Sequence, residues 1–236
     1  MHYKAEFIIV NNDANFELLY IDADVLIVNK PSGLRTIQDG YDPSLPCLKE
    51  LLSRKYGKGW VVHRLDKDTS GVILFARHAE AHRVLNRQFE THTVRKIYLA
   101  LAHGFPCWDQ KTILAPLQKN GDRSHRTVIN IENGKPAYTD IAVVKRFKNH
   151  TLFALEIKTG ITHQIRTHLA MIGFPIVGDP LYSFFSMGIS TAPQEICPDQ
   201  LYLHAFSIDF QHPTNHEYIH IEALLPAYFH HTLENL

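Results

Sequence analysis

The segment His63-Arg64-Leu65-Asp66-Lys67-Asp68-Thr69-Ser70-Gly71 gathers an imidazole, a guanidinium and carboxylates within one short stretch. Its flanks, Trp60-Val61-Val62 and Val72-Ile73-Leu74-Phe75-Ala76, are short, apolar and rich in β-branched or aromatic residues. They read as buried strands. A charged segment strung between them is held beside a low-dielectric interior, where charges act strongly and cost most. A carboxylate so placed can attack an electrophilic carbon or stabilise a developing cation. The plainer reading is a polar turn, because Asp, Thr, Ser and Gly bond locally to their own backbone.

The rest of the chain must position that segment. Residues 16–21 and 25–30 read as a hairpin turning at Asp22-Ala23-Asp24, stopped by Pro31-Ser32-Gly33. Leu45, Leu48, Leu51 and Leu52 give helical spacing over 45–56, with Ser44 as N-cap. A second helix is expected over 78–92, with Ala81, Val84, Leu85 and Phe89 on one face. Residues 96–102 read as a strand ended by His103-Gly104. Residues 105–135 have the least pattern and contain the basic stretch Lys119–Arg126. Such a run is usually a solvated loop, but it could also meet phosphates. Residues 137–144 and 152–158 form a second hairpin, and 162–172 a helix with Thr162 as N-cap and Gly173 as its stop. Residues 201–210 and 218–223 form a closing hairpin. There is no repeat or linker. The fold class expected is α+β, a mostly antiparallel mixed sheet with flanking helices, forming one domain over 16–236 after an N-terminal extension of 1–15.

Composition narrows the class. The 236 residues are 45% hydrophobic and 20% charged, as in a soluble globular enzyme. Formal net charge is zero, from 24 basic and 24 acidic residues, so any basic face must be local. Cys47, Cys107 and Cys197 are far apart and odd in number, which argues against a disulfide framework. No apolar run approaches a membrane span, and the first residues lack a signal-peptide core. A cytoplasmic protein is expected.

Four blocks in order resemble the RluA-type pseudouridine synthases. They are Leu26–Leu34, the Asp66 segment, Arg95–Ala100, and Thr159–Leu169 continuing through Gly178-Asp179-Pro180-Leu181-Tyr182. The resemblance implies that fold and an enzyme isomerising uridine in tRNA or rRNA. It implies Asp66, Tyr98 and Arg166 as catalytic residues: Asp66 acts at C1′, Arg166 keeps it ionised, and Tyr98 meets the base and relays a proton. It assigns substrate contact to His63, Arg64, Leu65, Thr69, Lys96, Ile161, Thr162, His163 and Gln164, with Arg64 assisting extrusion of the nucleotide. No cofactor or metal is implied, because the rearrangement involves no redox change. The chain also lacks Gly-x-Gly-x-x-Gly, a P-loop and His-Glu-x-x-His. The expected partner is an RNA stem-loop and the expected state a monomer.

Two positions depart from the family's usual pattern. Ile161 follows Thr159-Gly160 where Arg is common, and Arg35-Thr36-Ile37-Gln38 replaces an apolar-His-Pro sequence. Only about fifteen residues precede the first expected strand, too few for the S4-type RNA-binding domain of many relatives. Two other readings are a catalytically silent RNA-binding protein on the same fold and a glycosidase using Asp68 or Asp179 as second carboxylate. His78 and His82 have helical metal spacing but no evident third ligand.

Overall fold

The computed structural model describes residues 16–122, 126–184 and 199–236. The N-terminal extension, residues 123–125 of the basic stretch and most of the poorly patterned 183–200 lie outside the described residues. The architecture is α+β, with mostly antiparallel strands and, among the described residues, four helices. The chain forms two compact units. One holds the described residues up to Val94 together with Phe206–Leu224, and the other holds Arg95–Ala205 and Leu225–Leu236.

In the first unit, β1 (Glu17–Ile21) pairs antiparallel with β2 (Val25–Lys30), which pairs with β4 (Ser70–Ala76). Every residue of β4 is buried, as its unbroken apolar run requires. β3 (Trp60–Val61) is shorter and more exposed than expected, and pairs only with the end of β4. Helix α1 (Leu48–Tyr56) begins later than the leucine spacing suggests. The amides of Leu48 and Lys49 donate to the carbonyls of Arg35 and Thr36, so this neighbouring segment, rather than a side chain, caps the helix. Ser44, the expected cap, bonds Asp42 instead. Helix α2 (Ala79–Glu90) is capped by His78, whose Nδ1 accepts the Ala81 N–H while its Nε2 meets Asp24 at 2.7 Å. The spacing of His78 and His82 therefore serves structure: His82 bonds the Val61 carbonyl.

In the second unit, β6 (Gln110–Ile113), β9 (Thr139–Arg146), β10 (His150–Ile157) and β5 (Arg95–His103) pair in that order, all antiparallel. Two short strands, β7 (Leu117–Gln118) and β8 (Val128–Ile129), form a separate ladder. Helix α3 (Gln164–Met171) is followed by Gly173 at φ 85°, and the Phe174 amide closes back on the Leu169 carbonyl. β11 (Leu203–Gln211) carries the chain from the second unit into the first, where it pairs with β12 (Tyr218–Glu222). Helix α4 (Ala227–Asn235) was not expected from the sequence. It belongs to the second unit, where Phe229 is fully buried with its ring 5.1 Å from that of Tyr202. Among the described residues no helix is long and apolar enough to cross a membrane.

Candidate active site

The Asp66 segment forms a loop between β3 and β4 in the first unit. Leu65 and Thr69 are buried, Asp66 is half-buried and Arg64 is exposed. The Asp66 carbonyl accepts the Thr69 N–H, closing a tight turn around the carboxylate. His63 is tied down: its Nε2 accepts the Leu74 amide at 3.0 Å and its ring stacks on Phe89. That contact fixes the entry to the loop.

The loop backbone is gripped from the segment following β2. Thr36 Oγ1 donates to the Leu65 carbonyl at 2.8 Å and accepts its N–H at 3.3 Å. Ser32 Oγ donates to the Asp68 carbonyl at 2.7 Å. Lys30, fully buried, donates from Nζ to the carbonyls of Pro31, Leu34 and Lys67 at 2.9, 2.7 and 2.9 Å. Gly33, at φ 82°, turns the chain so that Leu34 comes back to the ammonium. Burial pushes the Lys30 ammonium down to about 7, against the pull of Asp68 and Asp66. Three carbonyl acceptors nevertheless call for three N–H donors, which an ammonium carries and an amine does not. Sequence reasoning assigned Lys30, Ser32 and Thr36 no role. The available signal was a lysine ending an apolar strand.

In the second unit, Lys96, Tyr98 and Ala100 alternate on one face of β5, and all three are buried. Burial pushes the Lys96 ammonium down to about 8. Arg166 is 3% exposed, so it is not a surface helix residue. Its Nε and Nη2 both donate to the Asp179 carboxylate at 2.7 Å, a bidentate pair, and its guanidinium carbon lies 5.2 Å from the Tyr182 ring.

Residues 164–170 of α3 are all buried, so each polar side chain needs an internal partner. Gln164 donates to the Tyr138 carbonyl and Thr139 Oγ1 and accepts from Thr159 Oγ1 and the Ile161 amide. These four bonds consume its amide, so Gln164 orders the loop before α3 rather than facing a substrate. His168 Nε2 meets the Ala115 carbonyl and must carry a proton there; Nδ1 is then the acceptor for Thr139 Oγ1.

Thr162 is not the N-cap. His163 occupies that position in the left-handed region at φ 57°, without a side-chain cap, and its Nδ1 lies 3.0 Å from the Tyr182 hydroxyl. The Thr162 carbonyl accepts a bond from Thr127, and Ile161 remains half-buried at the mouth of this turn. Within the basic stretch, Arg126 pairs with Asp122 and bonds the Leu181 carbonyl. The first unit thus assembles His63, Leu65, Asp66 and Thr69 around one pinned loop, and the second assembles Ile161 to Arg166 around Asp179 and Tyr182.

The one cluster of potential metal-ligating type among the described residues is Asp22, Asp24 and His212. His212 Nδ1 accepts the Thr214 and Asn215 amides, so Nε2 holds the proton and donates it to Asp22 at 2.9 Å. The cluster is a hydrogen-bonded pin between two turns.

A family profile described as RNA pseudouridylate synthase matches residues 24–171. An RNA pseudouridine synthase of Bacillus subtilis is 36% identical over 233 residues, 94% of this chain and 73% of the relative. The ribosomal large subunit pseudouridine synthase C of Vibrio parahaemolyticus is 36% identical over 209 residues, 87% of this chain and 64% of the relative. The solved structure of human RNA pseudouridylate synthase domain containing 1 superposes with a TM-score of 0.74 at 28% identity, covering 92% of this chain and 87% of that one. The chain belongs to the RluA-type RNA pseudouridine synthases, isomerases that need no net change in oxidation state.

Proposed function

We propose that the chain converts one uridine in a tRNA or ribosomal RNA stem-loop to pseudouridine, with Asp66 as the reacting carboxylate. The observation that carries this is the Asp66 loop itself: the backbone carbonyls of Leu65 and Lys67 are held by the buried Thr36 and Lys30 and that of Asp68 by the half-buried Ser32, while Asp66 stays half-buried. A carboxylate held in fixed geometry and still reachable suits a reaction whose cost lies in positioning.

In this reading the target nucleotide leaves its stack and Arg64, exposed beside the loop, fills the gap or holds a phosphate. Asp66 adds to C1′ or stabilises its positive charge as the N1–C1′ bond breaks. The base turns and C5 bonds to C1′, releasing Asp66 as a carboxylate where it had added; C5 then loses its proton and N1 gains one. Tyr98 faces the base and relays that proton. Arg166, buried and already oriented by Asp179, is the guanidinium this reading counts among the catalytic residues. His63, Leu65, Thr69, Lys96, Ile161, Thr162 and His163 contact the substrate, while Gln164 orders the loop that carries Ile161 to His163. The family match runs through both compact units, which supports treating 16–236 as one catalytic domain. A cofactor-free monomer in the cytoplasm completes the reading.

The test is direct. Transcribed tRNA and rRNA fragments are incubated with wild type and with Asp66→Asn, and pseudouridine is mapped chemically. Wild type should modify a single position, and the variant should lose at least ~1000-fold in rate, the scale of an electrostatic group removed from a transition state, while still binding RNA. Retained activity in Asp66→Asn would sink the assignment. Absence of product with every transcript would favour the silent RNA-binding reading.

A further inference from the structure

We propose that the end of α1 and the start of β3 form a seat for the RNA strand beside the target uridine: Lys55 and Lys58 take phosphates, and Trp60 takes the face of an unpaired base. The inference rests on the reading of RNA as the substrate and lies outside the Asp66 loop.

The chain has no net charge, so a polyanion needs a local excess of cations. Residues 48–60 hold one: Lys49, Arg54, Lys55 and Lys58 stand against a single carboxylate, Glu50, in the first turn of α1. Elsewhere arginines are neutralised: Arg35, Arg83, Arg126 and Arg146 each meet a carboxylate at 2.7 Å or less. Arg54, Lys55 and Lys58 are exposed and make no ion pair among the described residues. The helix dipole accounts for Arg54 and Lys55, in the last turn of α1. It does not account for Lys58, which follows the helix, or for the rings beneath the two lysines. Lys55 Nζ lies 5.6 Å from the centre of the Tyr56 ring, and Lys58 Nζ 4.7 Å from that of Trp60. Both rings are half-buried, so each keeps part of its surface in solvent. An ammonium over such a ring is held weakly; it can turn to a phosphate and leave the ring face for a base.

The seat is firm underneath. Gly57, at φ 83°, donates to the Ser53 carbonyl and ends α1, and Arg77 donates to the Tyr56 carbonyl at 3.4 Å. Trp60 pairs with Ala76 in the β3–β4 ladder, and the His82 ring of α2 braces the indole at 5.3 Å. From Trp60 the chain runs through His63 and Arg64 to Asp66. That stretch spans at most about 20 Å, the rise of about six stacked nucleotides. An RNA strand whose uridine sits at Asp66 therefore has neighbouring nucleotides within reach of Trp60. Loop nucleotides are unpaired and offer both a backbone and open base faces.

The experiment measures binding before chemistry. Wild type, Lys55→Gln/Lys58→Gln and a control, Lys145→Gln/Lys148→Gln, are titrated with a transcribed tRNA stem-loop across a salt series. The control removes the same charge from exposed positions of the second unit, where Lys145 lies over the buried Phe147 ring. In Lys55→Gln/Lys58→Gln the slope of log affinity against log salt should shrink by about two. Affinity near physiological salt should weaken at least ~10-fold, and KM for a modified transcript should rise alike with kcat nearly unchanged. The control should match wild type. Trp108→Phe leaves Trp60 as the only tryptophan. Its emission should be quenched by the RNA as a base stacks on it, and left unchanged by inorganic polyphosphate.

A salt slope unchanged in Lys55→Gln/Lys58→Gln overturns the seat, and so does an equal loss in the control, which would mark a diffuse effect of charge. Quenching by polyphosphate as strong as by RNA overturns the assignment of Trp60 to a base. If wild type binds no RNA, the RNA reading fails and the seat with it. If wild type binds RNA but makes no pseudouridine on any transcript, the Asp66 reading fails, and the salt slopes still decide the seat.

Discussion

Asp179 accepts four hydrogen bonds, two from Arg166 and one each from the Leu181 and Tyr182 amides. It has no capacity left for acid–base work, which removes it as the second carboxylate of a glycosidase. Its work is to aim Arg166. Asp179→Ala removes both charge-assisted bonds from a buried guanidinium and should cost about 3–5 kcal/mol, read by urea unfolding; a loss below ~1 kcal/mol would contradict a dry, desolvated pair. Thr36→Val removes both bonds to the Leu65 backbone and should cost about 1–2 kcal/mol by the same measurement. At this scale the sequence made Asp66, Tyr98 and Arg166 visible through their motifs. It did not reveal Asp179 as Arg166's partner or the grip of Lys30 and Thr36. Those contacts join residues 13 to 37 positions apart, and no local spacing encodes them.

Helices and strands were legible where periodicity was strong. The three hairpins at 16–30, 137–158 and 201–223 fall where alternation and turn residues put them. Helix starts were less legible, because α1 begins on the Arg35 and Thr36 carbonyls and α3 on a left-handed His163 instead of on Ser or Thr caps. Helix α4 escaped because its stretch carries two adjacent histidines and starts after Pro226 with no capping side chain. Its anchor is Phe229, and Phe229→Ala should cost about 3–5 kcal/mol by denaturant unfolding. A second prediction belongs to the β5–β10 ladder, where His103 and His150 are direct cross-strand partners with rings 5.1 Å apart. His103 Nδ1 and both ring nitrogens of His150 are buried with no hydrogen-bond partner among the described residues. Burial, then His150, pushes His103 down to about 4, and burial also lowers His150. The neutral folded form resists protonation while the unfolded chain takes protons from its usual pKa of about 6.5 downward. This stability is therefore present above pH ~6.5 and lost as pH falls toward 4, by on the order of 3 kcal/mol for His103. Urea midpoints from pH 7 to pH 4.5 should fall in wild type and fall less in His103→Phe.

The whole chain carries no net charge, an unusual setting for an enzyme whose substrate is a polyanion. Long-range attraction is then weak, and binding must come from a few local contacts. If about two phosphates are neutralised, affinity for a stem-loop should fall less than tenfold between about 50 and 200 mM salt. A thousandfold fall would reveal a strongly basic face instead. Overall composition placed the chain among globular proteins, with no apolar run long enough for a membrane-spanning helix. It could not show the partition into two units, because their boundary crosses the sequence three times.

That partition bears on how the protein is born. Residues 206–224 close the first unit through the Gln88 clasp on the Gln211 backbone, the His212–Asp22 bond and the Asn29 contact with the Leu224 carbonyl. The last twelve residues supply α4 to the second. A ribosome delivers residues in order, so the residues up to Val94 emerge without β11 or β12, and the stretch that follows waits for α4. The first unit can mature only once residues 206–224 have emerged, and the second only once 225–236 have. Until then the apolar strand β4 has to be kept from other chains, which makes the nascent polypeptide a natural client for chaperones.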